Sequence, residues 1–242
     1  YLIDGTAYIH RAYHAVRELS NSKGMPTNAV FGFTRMLLKL LKEKNAQYLA
    51  VVFDSKGPTF RHKMYDQYKA NRPPMPEDMA VQIPYIKDIT SGFRIPVIEQ
   101  PGFEADDLMG TLASHAEKAG FSVILVTGDK DLLQLATDRI SLWDPMKEKA
   151  TDIAAIRNEF GIEPSQLIDV MGLSGDSSDN VPGVPGVGPK TALDLIQAFG
   201  SMKTLYEQID KITKKKLKEN LIDFKQQAWL SRELVTINKS VP

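Results

Sequence analysis

No cysteine occurs anywhere in the 242 residues. Disulfides and thiolate metal sites are therefore excluded, and the chain suits a reducing cytoplasm. Long hydrophobic runs are also missing. None approaches the ~20 residues a helix needs to span a bilayer, so no membrane partner is expected, and no leader-like segment precedes the first strand-like stretch. Net charge is absent too, because 30 lysines and arginines balance 30 aspartates and glutamates. A neutral total argues against a nucleic-acid partner, which ordinarily meets a basic surface. That exclusion stands only if the acids are spread evenly. The rest is ordinary globular composition, 43% hydrophobic and 25% charged, without repeats or low-complexity tracts.

The acids are not spread evenly. Leu2-Ile3-Asp4 reads as a short buried strand that ends in aspartate, and a few further residues are expected ahead of it. Tyr48-Leu-Ala-Val-Val-Phe-Asp54 and Phe121-Ser-Val-Ile-Leu-Val-Thr-Gly-Asp129 repeat the pattern. Between them lie a helix running from an N-cap at Thr27 to Leu41 and helical patterns over 80–92 and 104–119, the latter closed by Gly120. Apolar strands alternating with helices indicate α/β architecture, a parallel sheet covered on both faces. Ligands meet such sheets at the carboxyl ends of the strands. Three strands ending in Asp4, Asp54 and Asp129 thus point to one acidic crevice. From about Thr151 the pattern turns all-helical, so 1–150 is read as an α/β core and 151–242 as a helical region packed on it.

Phe103-Glu-Ala-Asp-Asp-Leu108 sharpens the point. Acids in a first helical turn complement the helix dipole by up to ~1 kcal/mol each. Like charges about 4 Å apart repel by roughly 4 kcal/mol at an effective dielectric near 20. Three acids therefore exceed what capping requires. Glu104 and Asp107 share a helix face while Asp106 points elsewhere, so the cluster can serve two neighbouring positions. Asp129-Lys-Asp131 and Asp176-Ser-Ser-Asp179 add two more pairs. Asp4, Asp54, Glu104, Asp106, Asp107, Asp129, Asp131, Asp176 and Asp179 make nine candidate site carboxylates, and cations are needed to hold them together. An all-oxygen set without His or Cys selects hard divalent ions, Mg²⁺ or Mn²⁺. A pair of such ions suits in-line displacement at phosphorus. With the nine set aside, 21 acids face 30 bases. The neutral total conceals a basic surface.

Residues 56–78 carry Arg61, Lys63, Lys69 and Arg72 among Phe60, Tyr65 and Tyr68, and run into Pro73-Pro-Met-Pro76. Composition alone suits a solvated helix and loop. The alternative is a mobile cationic element with aromatic faces for a nucleic-acid strand. Gly183-Val-Pro-Gly-Val-Gly-Pro-Lys-Thr191 resembles a nucleotide-phosphate loop, but Pro189 separates Gly188 from Lys190 and no strand precedes it. Pro189 suits a first helical position, so the glycine-rich turn, its amides and Lys190 fit a DNA phosphate at a helix start. Lys211 to Lys218 reads as a solvated helix face.

Together these residues resemble the 5′ nuclease (flap endonuclease) family, and most of all the N-terminal 5′→3′ exonuclease domain of bacterial DNA polymerase I. The resemblance rests on Leu2-Ile-Asp-Gly5, Val51-Val-Phe-Asp54, Tyr68-Lys-x-x-Arg72-Pro-Pro-Met-Pro76, Gly102-Phe-Glu-Ala-Asp-Asp107, Thr127-Gly-Asp-Lys-Asp131 and the run from Gly172 to Lys190. It implies a PIN/5′-nuclease-like parallel-sheet core, a helical arch at about 56–78 and a C-terminal helix–turn–helix DNA-binding region. It implies phosphodiester hydrolysis near single-strand/duplex junctions, on DNA with a 5′ flap, a nick or an RNA primer, by a monomer. Asp4, Asp54, Glu104 and Asp106 look like ligands of a first metal. Asp107, Asp129, Asp131, Asp176 and Asp179 look like those of a second. Lys69 and Arg72 match basic residues that steer and activate the scissile phosphate, so Lys69, Arg72, Asp4 and Asp129 are the expected catalytic set. Tyr68 is the candidate for stacking on a displaced nucleotide, and Arg11 suits a phosphate contact or a surface salt bridge. Gly183, Gly186, Gly188, Lys190 and Thr191 look like the duplex grip, which in relatives also coordinates K⁺. The sequence end, Ser231 to Pro242, resembles a boundary before a further domain. A non-catalytic branched-DNA-binding module is the other reading.

Overall fold

Six strands form one sheet in a computed structural model that describes residues 1–44 and 46–242. They are β1 (Leu2–Asp4), β2 (Ala50–Val52), β3 (Val97–Ile98), β4 (Val123–Val126), β5 (Ile140–Asp144) and β6 (Lys149–Thr151), in the order β3-β2-β1-β4-β5-β6. All neighbours pair in parallel except β5 with β6. The first three anticipated strands are thus β1, β2 and β4; β3, β5 and β6 were not foreseen.

Alternation along each strand decides what packs where. Ile3, Val51 and Val126 face one apolar cluster with Tyr8, Phe33, Leu37 and Ile86. Those residues come from α1 (Gly5–Ala15), α2 (Asn28–Lys44) and, beyond α3 (Phe60–Met64) and α4 (Glu77–Ala80), α5 (Ile83–Gly92). Val52 and Leu125 face the opposite cluster with Leu108 and Met109 of α6 (Ala105–Lys118). The C-terminal helices join this second cluster: α7 (Ile153–Phe160), α8 (Leu167–Ser174), α9 (Pro189–Phe199), α10 (Met202–Glu207), α11 (Lys215–Asp223) and α12 (Lys225–Val235). No described helix is long and apolar enough to cross a membrane.

In α2, Ala29, Phe33, Leu37 and Leu40 recur at helical spacing and are buried. Thr27 holds the expected N-cap position, its carbonyl accepting the Phe31 amide at 2.9 Å. Its hydroxyl donates to the Leu19 carbonyl, and the Gln82 side chain accepts the Val30 amide at 3.1 Å instead. Residues 56–78 are helical only in α3 and α4, because Pro73, Pro74 and Pro76 supply no amide protons and Lys69 is left-handed at φ 56°. The segment is not a free arch in this conformation. The Lys69 amide donates to the Asp179 carbonyl (2.9 Å), Asn71 Nδ2 to Ser177 O (2.7 Å) and Asn180 Nδ2 to Gln67 O (2.6 Å).

Strand order runs outward in both directions from the β1–β4 pair, and the first crossover helix begins at Gly5 immediately after β1. A Cβ on Gly5 would lie 2.5 Å from the Phe53 ring and 2.7 Å from Val51 Cγ1. Gly5→Val should therefore cost about 1–3 kcal/mol by overpacking, read as a lowered urea midpoint. An unchanged midpoint would show that α1 can back away from β2 freely.

Candidate metal centre

The crevice outside the β1–β4 junction is a cavity of about 500 Å³. Eight of the nine carboxylates line it: Asp4, Asp54, Glu104, Asp106, Asp129, Asp131, Asp176 and Asp179. Five separate chain segments deliver them: the end of β1, the turn after β2, the start of α6, the loop after β4 and the loop after α8. Lys69, Arg72, Arg11, His10 and Lys130 stand among them.

Half of these acids are fixed by a backbone amide, which leaves oxygen lone pairs to face the cavity. Asp4 caps α1 through the Ala7 amide (2.9 Å) and accepts the Thr127 hydroxyl (2.9 Å) on its other oxygen. Asp54 accepts the first amide of α6, from Ala105, at 2.8 Å. Asp129 accepts the Asp131 amide (2.9 Å) and Asp176 the Ser178 amide (2.7 Å). The helix starts and turns here are anion sites that the protein fills with its own carboxylates.

Glu104 and Asp179 are held by cations and a phenol. Lys69 Nζ lies 2.7 Å from Glu104 and 3.6 Å from Asp179, and Arg72 pairs with Asp179. The Tyr68 hydroxyl sits 3.0 Å from Glu104 and 3.1 Å from Asp179. Burial, then the two carboxylate charges, push the Tyr68 pKa far up, so it stays a donor. Burial opposes the Lys69 charge, but Glu104 and Asp179 outweigh it and raise its pKa.

No donor reaches the side chains of Asp106 and Asp131 among the described residues, and these two carry the strain. Burial, then Asp129 and Asp4, raise Asp106 well above the carboxylate range. Burial, then Asp129, Asp176 and Asp179, bring Asp131 to about 7. Asp4 is pushed up to about 6, chiefly by burial, against the pull of its Ala7 and Thr127 bonds.

Three expected roles need correction. Asp107 is fully buried below the cavity and is no metal ligand in this geometry: the Arg61 guanidinium grips it with two bonds of 2.7 and 2.8 Å, and it also accepts the Glu104 amide at 3.1 Å. Glu104 and Asp107 do share a side of the helix start, but the cation they share is Arg61. Tyr68 offers no face to a nucleotide, because it is 4% exposed and packed against Val181, Leu234 and Val235. Gly183 is buried rather than part of a DNA-facing surface. Its amide donates to Ser231 and its carbonyl accepts from Gln227. A Cβ there would come within 2.3 Å of the Gly175 amide, so it serves loop packing.

The remaining predicted residues keep accessible positions. Arg11 lines the cavity but pairs with Asp144 at 3.0 Å, the salt-bridge alternative. Gly186 (φ 79°) and Gly188 are exposed, and Gly188 is the N-cap of α9, with open space where a Cβ would stand. Lys190 and Thr191 occupy the first turn of α9. The Pro185 carbonyl of this turn already accepts Asn220 Nδ2 at 2.7 Å. Sequence reasoning missed Arg61 as a support and His10 as a wall residue. His10 could have been found from helical spacing, since positions 7, 10 and 11 follow Asp4 on the same side of α1 and all line the cavity.

The donor set fits hard divalent cations: all-oxygen, crowded, and with two carboxylates left uncompensated. Among the described residues no three acidic or histidine side chains already converge at metal-ligand range.

Raised pKa values fix the sign of the pH response. Asp4 and Asp131 stay protonated in the folded protein above their ordinary 3.8. The folded state then binds more protons, so their contribution is complete below that value and is lost as pH rises through about 6 and 7. In EDTA the melting temperature should fall from pH 5.5 to pH 8, and Mg²⁺ should restore it at pH 8; a flat metal-free profile contradicts the crowding. Asp106→Asn should raise metal-free stability, whereas Asp107→Ala, which strands buried Arg61, should cost about 3–5 kcal/mol in urea unfolding. Equal effects of the two would refute the division between cavity and support.

Comparison with known proteins matches residues 1–161 to the 5′-3′ exonuclease N-terminal resolvase-like domain and residues 162–242 to the 5′-3′ exonuclease C-terminal SAM fold. DNA polymerase I of Bacillus subtilis is 44% identical over the whole chain, which spans 28% of that protein. A 5′-3′ exonuclease of Aquifex aeolicus is 43% identical over 87% of the chain and 73% of its own length. In fold, the zinc-bound T5 5′-exonuclease superposes with a TM-score of 0.81 at 24% identity, covering 98% of this chain and 89% of that one. The Rad2 catalytic core in complex with DNA gives 0.64 at 19% identity, covering 99% and 79%. With both domain patterns matched along its length, the chain belongs to the 5′-3′ exonuclease family.

Proposed function

We propose that this chain is a metal-dependent 5′ nuclease. It hydrolyses phosphodiesters where single-stranded DNA joins duplex, at 5′ flaps, nicks and RNA primers, in replication and repair. The observation that carries the reading is the eight-carboxylate cavity at the sheet's switch point, rimmed by Lys69 and Arg72. Asp4, Asp54, Glu104 and Asp106 would hold one Mg²⁺ or Mn²⁺, and Asp129, Asp131, Asp176 and Asp179 a second. When bound, the pair supplies an acidified water and charge stabilisation at the phosphate and leaving oxygen.

The chain's own residues do the positioning. Lys69 and Arg72 are tied to Glu104 and Asp179, and divalent charge in the cavity would compete for those carboxylates. Lys69 and Arg72 would then be free to meet an incoming phosphate, which Arg72 can clamp with two parallel donors. Tyr68, permanently protonated, keeps Glu104 and Asp179 aimed while their partners change. Residues 1–150 carry the chemistry, and 151–242 hold the duplex through Gly186, Gly188, Lys190 and Thr191 at the start of α9, where amides and a lysine meet a backbone phosphate. A K⁺ ion at this turn would use carbonyls other than those of Gly183 and Pro185, which side chains occupy. The protein acts as a cytoplasmic monomer. The T5 enzyme solved with zinc and the Rad2 core solved with DNA support this reading.

A labelled 5′-flap substrate should be cleaved in Mg²⁺ and remain intact in EDTA. Asp129→Asn should abolish cleavage while leaving DNA binding largely intact. Lys69→Ala should slow cleavage by about 10²-fold or more, the scale of a lost charge-stabilising group, with a smaller effect on melting. A shifted but uncut band in Mg²⁺ would favour a non-catalytic branched-DNA-binding module.

A further inference from the structure

We infer that Gln134 is a positioning residue for the acidic cavity, acting through a strap formed by the segment from Leu234 to Val241. The inference rests on the proposed cation roles of Asp131 and Glu104.

Gln134 is 6% exposed and lies on the 3-10 turn Asp131–Leu135, three residues after the carboxylate it would position. Its Nε2 donates to the Asp131 carbonyl (3.0 Å) and to the Val235 carbonyl (2.9 Å), and its Oε1 accepts the Ile237 amide (3.0 Å). One buried amide thus joins the Asp131 turn to the tail with both its ends. On the other side of the tail stands Arg61, whose Nε donates to Leu234 O (2.7 Å) and Nη2 to Thr236 O (2.9 Å). The same guanidinium holds Asp107 and reaches Glu104 at 3.3 Å, and the Asn238 amide completes the contact on Asp107 at 2.8 Å.

Successive tail groups therefore alternate between the two sides. Leu234 and Thr236 serve Arg61; Val235 and Ile237 serve Gln134. The carbonyls of Leu234 and Val235 lie free in the last turn of α12, and the backbone is extended from Thr236 onward, so one strap spans the two walls that carry Glu104 and Asp131. Those carboxylates belong to different proposed ions. The strap then fixes the spacing between the two metal positions. Losing the Gln134 amide leaves the buried Val235 carbonyl and the buried Ile237 amide without this partner, and frees the Asp131 turn from the wall opposite.

The test compares two tail contacts in the intact chain. Gln134→Met keeps the side chain's length and removes its bonds. Thr111→Val cuts the strap farther along, where Thr111 Oγ1 donates to Asn238 O (3.2 Å) and accepts the Val241 amide (3.1 Å), away from any cavity acid. Mn²⁺ binding to the DNA-free protein is followed by electron paramagnetic resonance. Gln134→Met should weaken it by about 10–100-fold, the usual effect of losing a support behind metal ligands, and Thr111→Val should leave it unchanged even where both lower the melting temperature. Equal Mn²⁺ affinity in Gln134→Met and wild type would overturn the inference while leaving the nuclease reading intact; no Mn²⁺ binding by the wild type would overturn the metal assignment itself. Linkage gives a second measurement that needs no variant. Mg²⁺ should slow hydrogen exchange at the Ile237 and Asn238 amides of wild-type protein, and unchanged exchange there would also overturn the strap.

Discussion

Mutual repulsion among carboxylates in one crevice is the constraint on which this structure depends. A like-charged pair 4 Å apart costs about 4 kcal/mol at an effective dielectric near 20, and eight such groups share the cavity. The fold does not dilute them. It anchors Asp4, Asp54, Asp129 and Asp176 to amides at helix starts and tight turns. It sets Lys69, Arg72 and Tyr68 against Glu104 and Asp179. Asp106 and Asp131 receive neither remedy and are driven toward the protonated form, as burial drives Asp4 despite its bonds. Repulsion is thus concentrated where divalent charge would relieve most.

The supports under the cavity explain why so many distant segments meet there. Arg61 is 2% exposed and binds two side chains of the α6 start and two carbonyls of the tail. A buried guanidinium persists only when nearly all its donors are used. It therefore demands that α3, α6 and the tail stay in register. Above it, Lys69 and Asn180 both take left-handed backbone, at φ 56° and 55°. They are joined by the bonds between the 66–72 turns and the 176–180 loop. Such conformations cost of order 1–3 kcal/mol each and persist only where the surroundings enforce them.

Much of this was legible because the strongest signals were local. Runs such as Val51-Val-Phe-Asp54 announce a buried parallel strand and its functional end in one stretch. β5 was not seen although Ile140-Ser-Leu-Trp-Asp144 also ends in aspartate; alternation with a polar residue weakens the run, and Asp144 meets Arg11 rather than the crevice. The membership of eight cavity acids followed from residue type and strand ends. The ninth failed because spacing shows which helical residues share a side and says nothing about what lies beneath. Asp107 meets Arg61, 46 residues away in sequence. Tyr68 and Gly183 failed likewise: aromatic and glycine-rich patterns look the same whether they face a ligand or the protein's own chain.

Charge distribution resolves the apparent conflict between a neutral chain and a nucleic-acid partner. The eight cavity acids face inward, and Asp107 and Arg61 cancel one another inside the protein. Among the other residues, 29 bases then face 21 acids. Lys211, Lys214, Lys215 and Lys216 are exposed around the start of α11. Asn220 of the same helix is bonded to Pro185 in the glycine-rich turn. The lysine run is therefore solvated, as its composition implied, yet it stands beside the proposed duplex grip. Phosphate contacts of this kind give sequence-independent affinity that falls with salt, whereas anions gathered in the cavity repel DNA until cations occupy it. Under the proposed function, cations that relieved the carboxylates would also lower the barrier to substrate, which would couple metal loading to phosphate entry by electrostatics.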